Sequence, residues 1–239
     1  LAAKNADASI YPASMTKVMT ALLVLEANPD LDTPVTLPED IFPELRAEGA
    51  SMAGFLPGET ATVRDLLYGA LLPSGAECCE ALAREVSGSE KAFVELMNQK
   101  AAALGMASTH FCNPTGLHDP EHVSTVRDMA VLLRAAMQNE MFRRIFATAR
   151  YTVPPTNLHP DGFTMESTFW SELDGTELRR GKFLGGKTGY TSAAGLCLAS
   201  AAEVKGKTYL MVTAGAQGNH DTEPYHVDDA VNVCRQLAR

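Results

Sequence analysis

Apolar residues recur with a helical period in five stretches of the first 150 positions. From Tyr11 to about Ala27, Val18, Ala21, Leu22 and Leu25 form one face, and Asn28-Pro29 is expected to end the helix. Residues 30 to 60 are broken by Pro34, Pro38, Pro43 and Pro57 and read as loop with short regular pieces. "TVRDLLYGALL" predicts a helix capped by Thr62, with Asp65 three residues on, and Pro73 marks a boundary before Ser74-Gly75. "GAECCEALAREV" and "EKAFVELMNQKAAALG" predict two more helices, the second closed by Gly105, and "STVRDMAVLLRAAM" another with Ser124 as its cap. "FCNPTGLHDP" between them is turn-rich.

The period changes near Arg150. "RYTVPP" is strand-like, and "GLCLASAAEV" and "KTYLMVTAGA" flank Lys205-Gly206 as the arms of a hairpin. The tail "VDDAVNVCRQLAR" returns to a helix with Val227, Ala230, Val231 and Cys234 on one side. Helices followed by an antiparallel hairpin and a closing helix predict an α+β fold. The expected organisation is one domain over 1–239, with a helical subdomain over roughly 28–150 and a sheet-forming part over roughly 151–239.

Composition narrows the function. Of 239 residues, 46% are hydrophobic and 21% charged, so a packed core is expected and disorder is not. The net charge of −9 is spread along the chain, which argues against a nucleic-acid or anionic-membrane surface, since both need a basic footprint. Five cysteines is an odd count and no C-x-x-C occurs, so neither a zinc nor a dithiol redox site is signalled. Buried thiols are the favoured reading, with a Cys197–Cys234 disulfide as the alternative. No run of about 20 apolar residues occurs. The opening "LAAKNADASIYPAS" reads as the inside of a domain, as in a mature chain.

Chemistry enters with Ser14 and Lys17, three residues apart and therefore one turn apart on one face of an apolar helix. Burial disfavours the charged form of a lysine and lowers its pKa. A neutral amine beside a serine hydroxyl takes its proton and makes it a nucleophile. A serine in the first turn of a helix also has backbone N–H groups without intrahelical partners, and these can donate to an oxyanion. The bland alternative is a capping serine and a lysine reaching out to water. Two other segments favour catalysis: "GGKTGYTSAAG", with Lys187-Thr188-Gly189, and "LPSGAE", with Ser74 between two predicted helices. S-x-x-K, a second serine element and K-T-G, in that order, are the motif set of penicillin-binding proteins and serine β-lactamases.

Four segments carry the resemblance further. "PASMTKVMTALLVLE", "FLPGETATVRDLLYGALLPSGAE", "NPTGLHDPEHVSTVRDMA" and "GGKTGYTSAAG" together resemble the D-alanyl-D-alanine carboxypeptidases among the low-molecular-mass penicillin-binding proteins, over nearly the whole chain. The resemblance implies an antiparallel sheet packed by helices, with a helical subdomain and the site between them. It implies that Ser14 attacks the carbonyl between two D-alanines of a peptidoglycan stem peptide, with Lys17 as base and without a cofactor. By the same resemblance Ser74 would shuttle protons, Lys187 would support them electrostatically, and Thr188 and Thr191 would bind the end of the substrate. The N–H groups of Ser14 and Tyr190 would form the oxyanion hole, with Gly189 between the substrate-binding positions. β-Lactam antibiotics would acylate the same serine, and the enzyme would act in the cell envelope.

Three departures from the family pattern stand out. Ala76 occupies the place of the usual Asn of Ser-x-Asn, a lost amide worth about 1–3 kcal/mol, and Glu77 follows where the family often has Asp. No Arg occurs between Arg180 and Arg235 to meet a substrate carboxylate, leaving His220, His226, or Thr188 with Thr191 to do so. The strands that normally precede "YPASMTK" are mostly absent, so the sheet is expected to be incomplete. A β-lactamase would need a base for the hydrolytic water; Glu166, followed by Ser-Thr-Phe-Trp, does not fit the E-x-x-x-N pattern. A non-catalytic wall-binding module is favoured by Ala76 and the missing Arg and opposed by an intact Ser14 and Lys17. His118 and His122 have the spacing of a zinc helix, but Pro120 lies between them and no Glu follows His118, so no metal is expected and the segment reads as a packed loop ordering the site.

Overall fold

A computed structural model describes residues 2–27 and 30–239. The expected helix end at Asn28-Pro29 lies outside the described residues. The chain enters through a short 3-10 helix, Ala13–Thr16, that runs directly into α1, Lys17–Ala27. Around α1 gather α3 (Val63–Leu71), α4 (Ala76–Ser87), α5 (Glu90–Leu104), α6 (Val126–Ala136) and α7 (Glu140–Phe146). Helix α1 is therefore buried nearly all round: Val18, Met19, Ala21, Leu22 and Val24 are all core residues. A helix apolar on every side belongs in the middle of a bundle, not on its surface.

The helix ends follow local chemistry. Thr62 accepts the N–H of Asp65 while Asp65 accepts the N–H of Thr62, closing the expected capping box of α3. Gly105 ends α5 in the left-handed conformation that only glycine adopts without strain. The expectation for α6 is corrected by one residue: Thr125 caps it through the N–H of Asp128, while the Ser124 hydroxyl pairs with that of Thr109. Ser124 instead has its N–H and C=O in the bridge to Ile10, so its backbone is already extended. One helix within residues 30–60 escaped the pattern, α2 (Ile41–Ala47), because Pro43 sits in its first turn, where a missing N–H costs nothing.

Two short two-stranded antiparallel sheets brace the bundle, β1 (Pro34–Thr36) with β2 (Thr60–Thr62) and β3 (Arg150–Val153) with β4 (Phe163–Glu166). The main sheet holds β5 (Gly181–Thr191), β6 (Gly195–Val204) and β7 (Lys207–Ala216), antiparallel in that order. Lys205 and Gly206, both at positive φ, make the expected two-residue turn. Central β6 is buried on both faces. Cys197, Ala199 and Ala201 face the helical core, while Leu198, Ala202 and Val204 pack with α8 (Thr168–Leu173) and α9 (Tyr225–Leu237) in a second core. That two-sided burial is why "GLCLASAAEV" shows no polar alternation. Val227, Ala230, Val231 and Cys234 of α9 fill the second core as its pattern predicts. The five cysteines are free thiols, so the Cys197–Cys234 disulfide does not form. No helix among the described residues is long and apolar enough to cross a membrane.

Strand β5 lies close to its neighbours because it carries paired glycines. A side chain at Gly185, at φ +142°, would meet the Phe146 carbonyl at 2.1 Å, and one at Gly186 would meet the Phe169 ring at 2.4 Å. Gly185→Ala is therefore expected to lower stability by about 2 kcal/mol or more. Urea unfolding checks this: the midpoint should fall with an unchanged m-value.

Candidate active site

The 3-10 turn before α1 brings the nucleophile candidate to the surface of a deep cleft. Ala13 is held at φ +47°, a left-handed conformation that a residue with a Cβ adopts only under constraint. The constraint is visible from both sides. Gly116 packs so tightly that an added Cβ would sit 1.9 Å from the Ala13 carbonyl, and a Cβ at Gly189 would sit 3.0 Å from the Ser14 nitrogen. Glycines at 116 and 189 thus let a loop and a strand clamp the Ser14 backbone.

Lys17 is 2% exposed. Its Nζ lies 2.9 Å from Ser14 Oγ and donates to the Thr115 carbonyl at 2.6 Å. Burial is the largest influence and pushes the ammonium below its ordinary pKa, against the opposing influence of Cys79 and Glu77. With one N–H given to Thr115, a neutral amine can turn its lone pair toward the serine hydroxyl. Residues 113–122 pack as a loop against the start of α1. Thr16, Lys17 and Thr20, the polar residues at the start of a buried helix, are answered by His122 Nε2 at 2.9 Å, Thr115 O at 2.6 Å and Pro114 O at 2.6 Å. Asn113 shapes that loop: its Oδ1 accepts from Thr115 N, Thr115 Oγ1 and Gly116 N, and its Nδ2 donates to Leu117 O.

His122 is not free for a metal. Its Nδ1 accepts the Cys112 N–H, its Nε2 meets Thr16, and burial lowers its pKa to about 4. No group of three metal-ligating side chains occurs among the described residues.

Ser74, Thr188, Gly189 and Tyr190 line the same cleft as Ser14, joined by Ser51, Thr168, Glu172, Leu196, His220 and His226. Ser74, at φ +70°, stands in the link between α3 and α4, and its hydroxyl is buried with no partner among the described residues. Lys187 is buried beneath the cleft, donates to the Thr188 carbonyl at 2.8 Å, and has its pKa lowered to about 7 by burial and then by Lys17. Thr188 shares a 2.6 Å hydroxyl contact with Thr168. Thr191 is placed elsewhere: its hydroxyl accepts the Ala194 N–H in the β5–β6 turn, and it does not line the cleft. The neighbouring Ala76 is fully buried and contributes nothing to the cleft wall. Glu77 turns away to accept from Ala53 N at 2.7 Å and Gly54 N at 3.0 Å, fixing the loop that presents Ser51. Glu166 lies on exposed β4, paired with Arg150, and is no candidate for a hydrolytic base. Thr168, Glu172 and Ser51 carry no motif and were invisible in sequence; only the fold brings them to Ser14.

Comparison with known proteins agrees with this arrangement. The family model described as D-alanyl-D-alanine carboxypeptidase matches residues 1–218. The chain is 37% identical over 224 residues to D-alanyl-D-alanine carboxypeptidase DacF of Bacillus subtilis, covering 89% of this chain and 53% of that protein. It is 35% identical over 214 residues to a D-alanyl-D-alanine carboxypeptidase of Streptomyces sp. strain K15, covering 87% and 73%. The chain thus spans about half the length of the first relative and about three quarters of the second. The crystal structure of the Streptomyces K15 DD-transpeptidase superposes with a TM-score of 0.87 at 31% identity, covering all of this chain and 91% of that one.

Replacing Gly116 with Ala tests the clamp on Ser14. The added methyl would displace the Ala13 carbonyl, and misplacement of a reacting atom by about 1 Å costs roughly a hundredfold in rate. Ser14 should lose that much reactivity toward a serine-acylating reagent, followed by mass spectrometry, while circular dichroism reports retained helix.

Proposed function

From the premise that this chain belongs to the D-alanyl-D-alanine carboxypeptidase family, we propose that it is a serine hydrolase that removes the terminal D-alanine of peptidoglycan stem peptides through an acyl-enzyme on Ser14. The observation that carries the reading is the buried Lys17 amine 2.9 Å from Ser14 Oγ. Neutral Lys17 takes the hydroxyl proton as Oγ attacks the carbonyl between the two D-alanines. The N–H groups of Ser14 and Tyr190 receive the oxyanion, supported by Ser14's place in the first turn and by Tyr190's on edge strand β5. Ser74, whose hydroxyl has no partner among the described residues, passes the proton to the departing nitrogen, and Lys187 supplies positive charge beneath it. Water then hydrolyses the ester, with the proton again handled by Lys17. Thr188 binds the substrate end. β-Lactams present a strained amide to the same serine and acylate it. The substrate places the enzyme in the cell envelope.

A labelled penicillin should add its mass to Ser14, and a D-Ala-D-Ala peptide should release D-alanine. Ser14→Ala abolishes both, and Lys17→Ala slows acylation by roughly 10²–10⁴. If penicillin leaves Ser14 unmodified while peptidoglycan still binds, the chain is a binding module instead.

The two lysines set the pH dependence. Protonated Lys17, its pKa lowered by burial, suppresses acylation on the acid side, and loss of the Lys187 charge, its pKa lowered to about 7, suppresses it on the alkaline side. Arginine stays charged across this range, so Lys187→Arg is expected to shift the falling limb upward. The rate of penicillin acylation from pH 5 to 10 measures both limbs.

A further inference from the structure

The first half of the chain gives the cleft Ser14, Ser51 and Ser74, each a serine. The proposed reaction uses Ser14 as nucleophile and Ser74 at the departing nitrogen, and leaves Ser51 without a role. Ser51 is exposed, and its bond to the fold is made by the backbone carbonyl, which accepts the Ala76 N–H at 2.8 Å. Ala76 opens α4, where a helix leaves its first N–H groups without intrahelical partners, so that carbonyl answers a need of the helix end. The structural work of Ser51 is thus done by its backbone, and its side chain is left to the cleft.

The segment that carries Ser51 is pinned from several directions. Glu77 Oε1 accepts Ala53 N at 2.7 Å and Gly54 N at 3.0 Å. A Cβ added at Gly75 would sit 2.6 Å from the Ala53 Cβ, and one at Gly69 would sit 3.2 Å from it, so both glycines let Ala53 pack against the α3–α4 link. The Phe163 ring of β4 meets Phe55 edge-on, with 5.0 Å between centroids. A hydroxyl on a segment held in this way is placed before any ligand arrives, which spares the ordering cost of binding.

The chemistry of the substrate restricts what this hydroxyl can meet. The leaving D-alanine has two polar groups, its nitrogen, which Ser74 serves, and its carboxylate, the substrate end that Thr188 binds. The scissile carbonyl goes to the N–H groups of Ser14 and Tyr190. The next polar group lies on the acyl side: the backbone amide that joins the penultimate D-alanine to the rest of the stem peptide. That amide is neutral, and the titratable residues of the cleft, Glu172, His220 and His226, all come from the second half of the chain. A serine hydroxyl can donate to the amide carbonyl or accept from its N–H. Ala76 beside it is buried and offers neither.

We propose that Ser51 is a substrate-binding residue whose hydroxyl hydrogen-bonds the backbone amide one residue to the acyl side of the scissile bond. The inference rests on the Ser14 acyl-transfer reading and deepens it, because it makes Ser51 select an N-acylated D-alanine over one with a bare amine.

The test compares benzylpenicillin with 6-aminopenicillanic acid on the full chain. Both carry the strained amide and the carboxylate, but the first has an acylamino group in the place of the backbone amide and the second has a bare amine. The rate of mass gain at Ser14 is followed at pH 7.5, and the readout is the ratio of the two rates in each protein. Ser51→Ala is expected to lower the ratio roughly three- to tenfold, the worth of one hydrogen bond. Its urea midpoint should not move, since the carbonyl that bonds Ala76 remains. Ser51→Thr keeps the hydroxyl and should lie closer to the unmodified protein. An unchanged ratio in Ser51→Ala, whether both rates hold or both fall together, overturns the proposal, and so does a Ser51→Thr protein indistinguishable from Ser51→Ala. If neither compound labels the unmodified Ser14, the catalytic reading falls and this one with it. Labelling by both with no dependence on Ser51 removes the amide contact alone.

Discussion

The interaction on which this structure turns is the desolvation of one lysine. Lys17 sits at the first position of a helix buried nearly all round, and its amine reaches Ser14 Oγ and the Thr115 carbonyl. A charged ammonium in such a place would carry a penalty of several kcal/mol, and the protein meets it by favouring the neutral form. Stability and the proposed chemistry therefore coincide: the same burial that excludes water from the helical core sets an amine of lowered pKa beside the Ser14 hydroxyl. The 113–122 loop is what makes this tolerable. Without its carbonyls and His122, three polar side chains of the helix start would be buried unsatisfied, each costing about 1–3 kcal/mol.

Close approach is the second constraint. Four glycines, 116, 185, 186 and 189, sit where a methyl group would overlap or crowd another residue's backbone or ring. Gly116 and Gly189 let the loop, edge strand β5 and the 3-10 turn meet around Ala13 and Ser14, while Gly185 and Gly186 seat β5 against Phe146 and Phe169. The strain at Ala13 and the left-handed Ser74 both lie at the cleft. Backbone conformations of this kind persist only where packing over-determines them, and they concentrate where side chains must be aimed.

Much of this was legible in the chain itself. The capping box at Thr62, the glycine stop at Gly105, the Lys205-Gly206 turn and the closing helix all follow from local rules that packing did not overrule. Ser14, Ser74 and Lys187-Thr188-Gly189 were visible because motif spacing reports backbone geometry. What stayed hidden depends on distant contacts. Ser51 enters the cleft only because Glu77 holds its loop, and Glu172 only because α8 packs on β5. Thr191 looked like a substrate contact by its place after K-T-G, but the β5–β6 turn claims its hydroxyl. Ser124 was expected to cap α6, but Ile10 takes its carbonyl, and the Thr125 carbonyl and hydroxyl open the helix instead. Ala76 marks a real departure, since it is buried and the following Glu77 turns to the Ala53 and Gly54 backbone instead of the cleft.

Direct titration of Lys17 is the most incisive measurement. With lysine side chains isotopically labelled and the Lys17 signal assigned through Lys17→Arg, the Nζ and Cε resonances can be followed against pH in the unmodified protein. The account predicts a titration displaced well below the ordinary lysine value of 10.5, with the amine neutral over the range in which Ser14 is acylated. An ammonium that keeps its proton up to that ordinary value would contradict the claim that burial arms the serine.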